Sequence, residues 1–177
     1  MTRFTGMGGH HSARATTVEW LTPPYILEAL GGWESFDLDP CSPAVRPWPT
    51  AKAHFTKADN GLLQNWGVGR IWLNPPYANG VIGAWLGKMA DHGTGTALIF
   101  ARTETEVFHR YVWERATAIL FFEGRLFFHF PDGAEAPNNA GAPSVLCAYG
   151  EADAKILADC KLPGQLVRVG AGTWRAA

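Results

Sequence analysis

Charge is scarce in this sequence, and neither sign prevails. Asp, Glu, Lys and Arg make up 18% of its 177 residues, and 15 basic against 16 acidic side chains leave a net charge of −1. A nucleic-acid binder with a broad basic face carries a basic excess. Phosphate contacts here would have to come from a local cluster. Cysteine is rare as well. Cys41, Cys147 and Cys160 are odd in number and far apart, with no C-x-x-C pair. Neither a zinc site nor a disulfide framework is suggested. No apolar run approaches the ~20 residues of a membrane span, and the first residues lack the apolar core of a signal peptide. These absences predict a cytoplasmic protein with reduced thiols, no metal site and no membrane partner.

What is present is apolar and aromatic. Hydrophobic residues make up 47% of the chain, with 8 Trp and 10 Phe, which is globular composition rather than disorder. The length suits one domain with a full core. The beginning differs: Thr5-Gly6-Met7-Gly8-Gly9-His10-His11-Ser12 is polar and glycine-bearing. This predicts an irregular arm over residues 1–17 and a single domain over residues 18–177. His10 and His11 have no carboxylate or cysteine beside them, which argues against a metal pair.

Strand and helix patterns alternate from there. Thr22 reads as an N-cap with Pro23 at the first helical position. Ile26, Leu27 and Leu30 form the apolar stripe, and Gly31-Gly32 ends the helix. Phe36-Asp37-Leu38-Asp39 has the period of a strand, stopped by Pro40. Residues 44–64 are proline-rich and then polar. Ile71 to Leu73 is a strand, Val81 to Ala90 a helix and Thr96 to Ala101 a buried strand. Thr103-x-x-Glu106 reads as a capping box opening a helix through Arg115. Ala118 to Phe122 is a strand, and Gly124 to Phe128 begins a hairpin. A late strand, Ser144 to Tyr149, a helix, Ala152 to Cys160, and a strand, Leu166 to Val169, close the chain. The pattern predicts a three-layer α/β protein with a mostly parallel sheet and an antiparallel edge hairpin. Ligands of such sheets sit beyond the strands' carboxyl ends, where the strand order switches. Asp39 and Asn74 both fall at such ends.

Asn74-Pro75-Pro76-Tyr77, closing the run Arg70-Ile71-Trp72-Leu73, points to a specific chemistry. The exocyclic amine of adenine is a poor nucleophile, because its lone pair is delocalised into the ring. The Asn74 side-chain carbonyl and the Pro75 backbone carbonyl are two acceptors able to take both of its N–H protons. Pro75 and Pro76 have fixed φ and no N–H, so they stiffen the acceptors without competing donors. Tyr77 offers a flat face on which a base can stack.

Five blocks occur in order: Glu19-Trp20-x-Thr22-Pro23-Pro24, Phe36-Asp37-Leu38-Asp39-Pro40, Asp59-Asn60-Gly61-Leu62, Trp72 to Tyr77, and Gly124-Arg125-Leu126-x-Phe128. Together they resemble the phage-type DNA N6-adenine methyltransferases, the Dam family, over roughly residues 10–150. The resemblance implies a Rossmann-like S-adenosylmethionine-dependent methyltransferase fold. It also implies a partner in DNA, double-stranded with a flipped adenine, and a bacterial or phage-infected cytoplasm. Asn74, Pro75, Pro76 and Tyr77 would hold the adenine. Trp20, Thr22 and Pro23 would lie against the methionine end of S-adenosylmethionine. Asp39, Pro40, Cys41 and Asn74 would line the cofactor at the strand ends, with Asp37 the alternative to Asp39, and Asp59 would stand near the adenosine end. The sequence departs from many amino-methyltransferases in one place. Pro40-Cys41-Ser42-Pro43 stands where a glycine-rich loop would let backbone approach the ligand, which leaves Ser42 and the Thr22 region to hold the methionine end.

Arg14, Arg102 and Arg125 are the candidate phosphate or base contacts, and the polar segment Asp132 to Pro143 is a candidate DNA-facing loop. Three other readings stay open: a cytosine N4-methyltransferase, a protein glutamine methyltransferase and a non-catalytic DNA-binding module. The first usually carries Ser in place of Asn74, and the second normally has the glycine-rich loop.

Overall fold

A computed structural model describes residues 19–77 and 80–169; the expected arm and Arg14 lie outside the described residues. Seven strands form one sheet: β1 Leu38–Asp39, β2 Ala53–His54, β3 Ile71–Leu73, β4 Gly95–Phe100, β5 Ala118–Phe122, β6 Ser144–Tyr149 and β7 Gly164–Arg168. Their order is β2-β1-β3-β4-β6-β5-β7. The pairs β1–β2, β1–β3 and β3–β4 are parallel; β4–β6, β5–β6 and β5–β7 are antiparallel.

The strands alternate as a pleated sheet requires. Ile71 and Leu73 join Ala97, Ile99, Ile119, Val145 and Cys147 on one face. That face is covered by α2, Ile82–His92, and by α3, Glu106–Phe108, which continues into His109–Trp113. Glu114 N–H reaches back five residues to the His109 carbonyl, so this last turn is a π-turn. Trp72 instead joins Leu98, Leu120, Leu146 and Ala148 on the opposite face, under α1, Pro24–Ala29, and α4, Glu151–Asp159. The result is three layers with two cores. Among the described residues no helix is long and apolar enough to cross a membrane.

Several sequence expectations need correction. The antiparallel component is not an edge hairpin. Strand β6 inserts between β4 and β5, and residues 124–128 form no strand. The reason is burial: Val145, Leu146, Cys147, Ala148 and Tyr149 are each 0% exposed, which an edge position would not achieve. The segment between β5 and β6 makes isolated bridges of His129 with Leu21 and with Glu135 and packs Leu126, Phe128 and Ala140 into the core with Trp72 and Leu120. Thr105, not Thr103, caps α3, its Oγ1 accepting from Phe108 N–H at 3.3 Å. Strand β2 falls inside residues 44–64, the proline-rich and then polar stretch in which no strand was expected.

The start of α1 also differs. Pro23 stays extended (φ −56°, ψ 132°) and occupies the cap position, and no side chain caps the helix. A residue before proline is pushed out of the helical region, so Pro24 delays the helix by one residue. Thr22 is therefore not the N-cap, and its hydroxyl is left free for other work.

At the amino end of β3, Arg70 ties three elements together. It donates to Asp153 on α4 at 2.7 Å, to Ser35 Oγ at 2.6 Å and to the Leu30 carbonyl at 3.0 Å. Its guanidinium also lies 3.9 Å from the Phe36 ring centroid. This anchor fixes β3, and with it the position of Asn74 at the other end.

Candidate active site

The chain passes from β1 to β2 on one side of it and then crosses back from β2 to β3 on the other. The switch in strand order therefore lies between β1 and β3, where a crevice opens at the carboxyl ends. A small cleft sits there. Asp39 and Cys41 line it from β1, Trp72 and Asn74 from β3, and Thr50 from the approach to β2. Trp20, Leu21, Thr22 and Pro43 complete its wall.

Asp39 is 3% exposed. Its Oδ1 accepts from Cys41 N–H at 3.0 Å and its Oδ2 from the Thr50 hydroxyl at 2.5 Å. Burial pushes its carboxyl up to about 6, against the pull of those two hydrogen bonds and the nearby Arg46 charge. At neutral pH the group is mostly ionised, yet no described cation pairs with it. Asp37, the alternative, faces elsewhere. It takes Lys52 at 2.8 Å and Arg70 N–H at 2.8 Å, and these hydrogen bonds hold its carboxyl below the usual range. It does not line the cleft.

Asn74 Nδ2 donates to the Trp20 carbonyl at 3.0 Å. With the amino group committed, the side-chain carbonyl Oδ1 is left as a fixed acceptor. The Asn74 backbone carbonyl accepts from Cys41 Sγ at 3.3 Å, joining the loops after β1 and β3. Burial pushes the Cys41 thiol well up, so it stays protonated as a donor. Pro75 is buried and Pro76 partly so.

Tyr77 stacks on Phe100, ring centroids 4.2 Å apart at 24°. Its hydroxyl accepts from Phe100 N–H. The hydroxyl end is enclosed, which raises its pKa, while the residue as a whole is 39% exposed. The ring is thus pinned at its tip with part of its surface open.

The wall formed by Trp20 to Thr22 is braced from above. Trp48 Nε1 donates to the Thr22 carbonyl at 3.2 Å. Leu21 exchanges backbone hydrogen bonds with His129 at 2.8 and 3.1 Å. Trp48 meets His129 edge-on at 5.2 Å, and Trp20 packs on Phe130 at 5.3 Å. Sequence pattern alone gave no sign of this aromatic roof.

The remaining candidates are placed apart from the cleft lining. Asp59 accepts from Thr56 N–H and Oγ1, each at 2.7 Å; these bonds lower its pKa and form a turn. Its loop nonetheless presses on the β1 end: a Cβ on Gly61 would stand 1.9 Å from the Pro40 carbonyl oxygen, so only glycine fits. Pro23 and Pro40 are buried behind the cleft residues. Arg102 and Arg125 are exposed, and Arg125 donates one N–H to the Ala140 carbonyl at 2.9 Å. Among the described residues no cluster of three His, Cys, Asp or Glu is arranged to hold a metal.

Three residues that sequence reasoning missed stand out: Thr50, Phe100 and Trp72. Thr50 reaches Asp39 only through the fold. Trp72 carried a readable signal, since the period of two places it on the same strand face as Asn74. Its indole Nε1 and the Thr22 Oγ1 are buried with no hydrogen-bond partner.

A family model described as DNA N-6-adenine-methyltransferase (Dam) matches residues 10–160. No curated protein and no solved structure matches the chain.

Proposed function

The chain belongs to the DNA N-6-adenine-methyltransferase (Dam) family, and from that membership we propose that it methylates the N6 amino group of adenine in DNA, with S-adenosylmethionine as donor. The observation that carries the reading is the side-by-side placement of Asp39 and Asn74. They occupy the ends of adjacent parallel strands and line one cleft at the switch point.

The cleft residues fit the donor. Asp39 offers a buried carboxylate without an ionic partner, suited to a cationic ligand. Thr22 and Trp72 offer unpartnered polar atoms. S-adenosylmethionine, when bound, supplies a methyl group activated by its sulfonium. The chain's own part is positioning and electrostatics. Asn74 Oδ1, its rotation blocked by the Trp20 bond, and the Pro75 carbonyl accept the two amine protons. That pair of acceptors draws the nitrogen toward a nucleophilic geometry. A base flipped from the duplex loses a few kcal/mol of stacking. The open part of the Tyr77 ring, stiffened by Phe100, restores some of it. Arg102, Arg125 and the arm with Arg14 supply phosphate contacts. The proton released on alkylation leaves to water.

Expression in a host without DNA methylation, followed by sequencing for N6-methyladenine, tests the reading. Methylated adenine at a defined site is expected with the wild type and is lost with Asn74→Ala. A protein that modifies a peptide glutamine, or cytosine N4, and leaves adenine untouched would overturn it.

A further inference from the structure

A terminal amide has an accepting end and a donating end, and it can turn end for end with almost no change of shape. The proposed chemistry needs the accepting end. With Nδ2 toward the adenine amine, donor would meet donor. Strand β3 fixes where Asn74 stands but not which way round its amide lies. The Trp20 carbonyl decides that, because it can only accept. Asn74 Nδ2 donates to it at 3.0 Å, and Oδ1 is turned the other way. An aspartate at position 74, ionised, would have no proton for this carbonyl. The carbonyl thus calls for Asn rather than Asp there.

Residues 19–23 form no helix or strand, and Leu21 makes a single bridge. The Trp20 carbonyl is held by a segment far along the chain, the fold-back 128–136. Leu21 N–H donates to the His129 carbonyl at 2.8 Å, and His129 N–H to the Leu21 carbonyl at 3.1 Å. The Trp20 ring lies on Phe130, ring centroids 5.3 Å apart at 32°. The fold-back is itself tied. Phe130 N–H donates to the Ala134 carbonyl and Ala136 N–H to the Phe128 carbonyl, both at 2.8 Å. His129 Nδ1 stands 3.0 Å from the Gly133 carbonyl. None of residues 128–136 lines the cleft; they stand behind Trp20 and Leu21, which do.

We propose that the fold-back 128–136 is a positioning element for the reaction. Through His129 and Phe130 it holds the Trp20 carbonyl, and that carbonyl sets Asn74 Oδ1 toward the amine and excludes a carboxylate from position 74. This rests on the adenine methyltransferase reading. Phe130 is then a positioning residue, acting through Trp20 on Asn74. The segment expected to face DNA, Asp132 to Pro143, begins inside the fold-back and is tied through it to the chemical step.

Turnover of the full chain on DNA from a methylation-free host, with radiolabelled S-adenosylmethionine at saturation, tests this. Phe130→Ala should lower kcat about tenfold or more, as a small misplacement of a reacting group does. Phe130→Tyr, which keeps the ring, should restore it. In an Asn74→Ala background the Phe130→Ala change should cost less than about twofold, because no amide is left to orient. The affinity of Phe130→Ala for S-adenosylhomocysteine, read by calorimetry, should stay within about twofold of wild type. Asn74→Asp, which offers two acceptors and no proton, should lose about 10²-fold or more in turnover, as much as Asn74→Ala. Three results overturn the proposal and leave the methyltransferase reading in place: an Asp variant near wild-type turnover, a Phe130→Ala loss that persists in the Asn74→Ala background, or a cofactor affinity that falls in step with the rate. A wild-type protein that leaves the adenine of this DNA unmethylated overturns both.

Discussion

The two ends of β3 treat charge in opposite ways. At the amino end, Arg70 is matched by Asp153, by Ser35, by a carbonyl and by the Phe36 ring. Asp37 beside it is matched by Lys52. At the carboxyl end, Asp39 has only neutral donors, and Thr22 Oγ1 and Trp72 Nε1 have none. Buried atoms without a partner occur at both ends, Arg70 Nη2 and Asp153 Oδ2 at one and Thr22 Oγ1 and Trp72 Nε1 at the other. What differs is that charge is paired at the amino end, while Asp39 at the carboxyl end has no ion-pair partner among the described residues. The difference separates an anchor from a binding site without reference to any ligand. It also separates what a substitution should do: stability should respond at the anchor, binding and turnover at the cleft.

Arg70→Ala is the strongest test of that division. It leaves Asp153 buried without its cation, which costs about 3–5 kcal/mol. Urea unfolding should show this loss, while S-adenosylhomocysteine affinity, measured where the variant is folded, stays within about twofold. A variant of normal stability would erase the contrast. Asn74→Ala should show the reverse, with turnover lower by about 10²–10³ on removal of one preorganised polar contact. Its unfolding midpoint should move little. Coincident loss of activity and stability would mean that Asn74 is chiefly a bracket for Trp20.

Asp39 sharpens the comparison through pH. Its folded value of about 6 lies above the ordinary 3.8. Its contribution to stability is therefore fully present below 3.8 and is lost as pH rises through 6, by roughly 3 kcal/mol in all. His54 acts in the opposite sense. Burial lowers its pKa from 6.5 to about 4, so its contribution is present above 6.5 and fades as pH falls through 4. The two overlap, and only the difference between wild type and Asp39→Asn isolates the carboxylate. That difference, measured by denaturation at pH 4.5 and 7.5, should favour the Asn variant at the higher pH. Cofactor affinity should fall about tenfold per pH unit below 6, because protonated Asp39 no longer attracts a cation. A flat profile would shift the cationic contact away from Asp39. The smallest effect belongs to Tyr77→Phe, which strands the Phe100 N–H and should cost about 1 kcal/mol of stability. Stacking survives in Phe, so turnover should stay within a few-fold, whereas Tyr77→Ala should weaken DNA binding by about 1–3 kcal/mol.

Much of the fold was legible because period and punctuation agree with it. The short apolar run Ile71-Trp72-Leu73 and the glycine after α2 match the strand and helix found. The placement of β6 was not legible. A continuous apolar run such as Ser144 to Tyr149 declares burial on both faces but does not name its neighbours. Nor was the register of α1, where two adjacent prolines outrank the Thr22 cap. In the cleft, Asp39, Cys41, Asn74, Trp20 and Thr22 were readable from their blocks, while Thr50 was not, because its meeting with Asp39 depends on β2 lying alongside β1. Asp37 and Asp39 look equivalent in sequence. The period of two gives them one strand face. Position along the strand tells them apart, Asp37 standing before β1 beside Lys52 and Arg70 and Asp39 at its buried carboxyl end beside Thr50.

The insertion of β6 has a kinetic consequence. Strands β4 and β5 point the same way but never touch, because a later segment of the chain fills the gap between them. Until residues 144–149 emerge from the ribosome, β4 presents an open, apolar edge, and β5 has nothing to join. Closure of the sheet is then a late, long-range event, which slows folding and prolongs exposure of a sticky surface. The strands that carry Asp39 and Asn74 are synthesised well before it. Nascent chains stalled short of residue 144 should hold a half-sheet that aggregates, and its active-site loops would have the right neighbours in sequence before they have a stable floor beneath them.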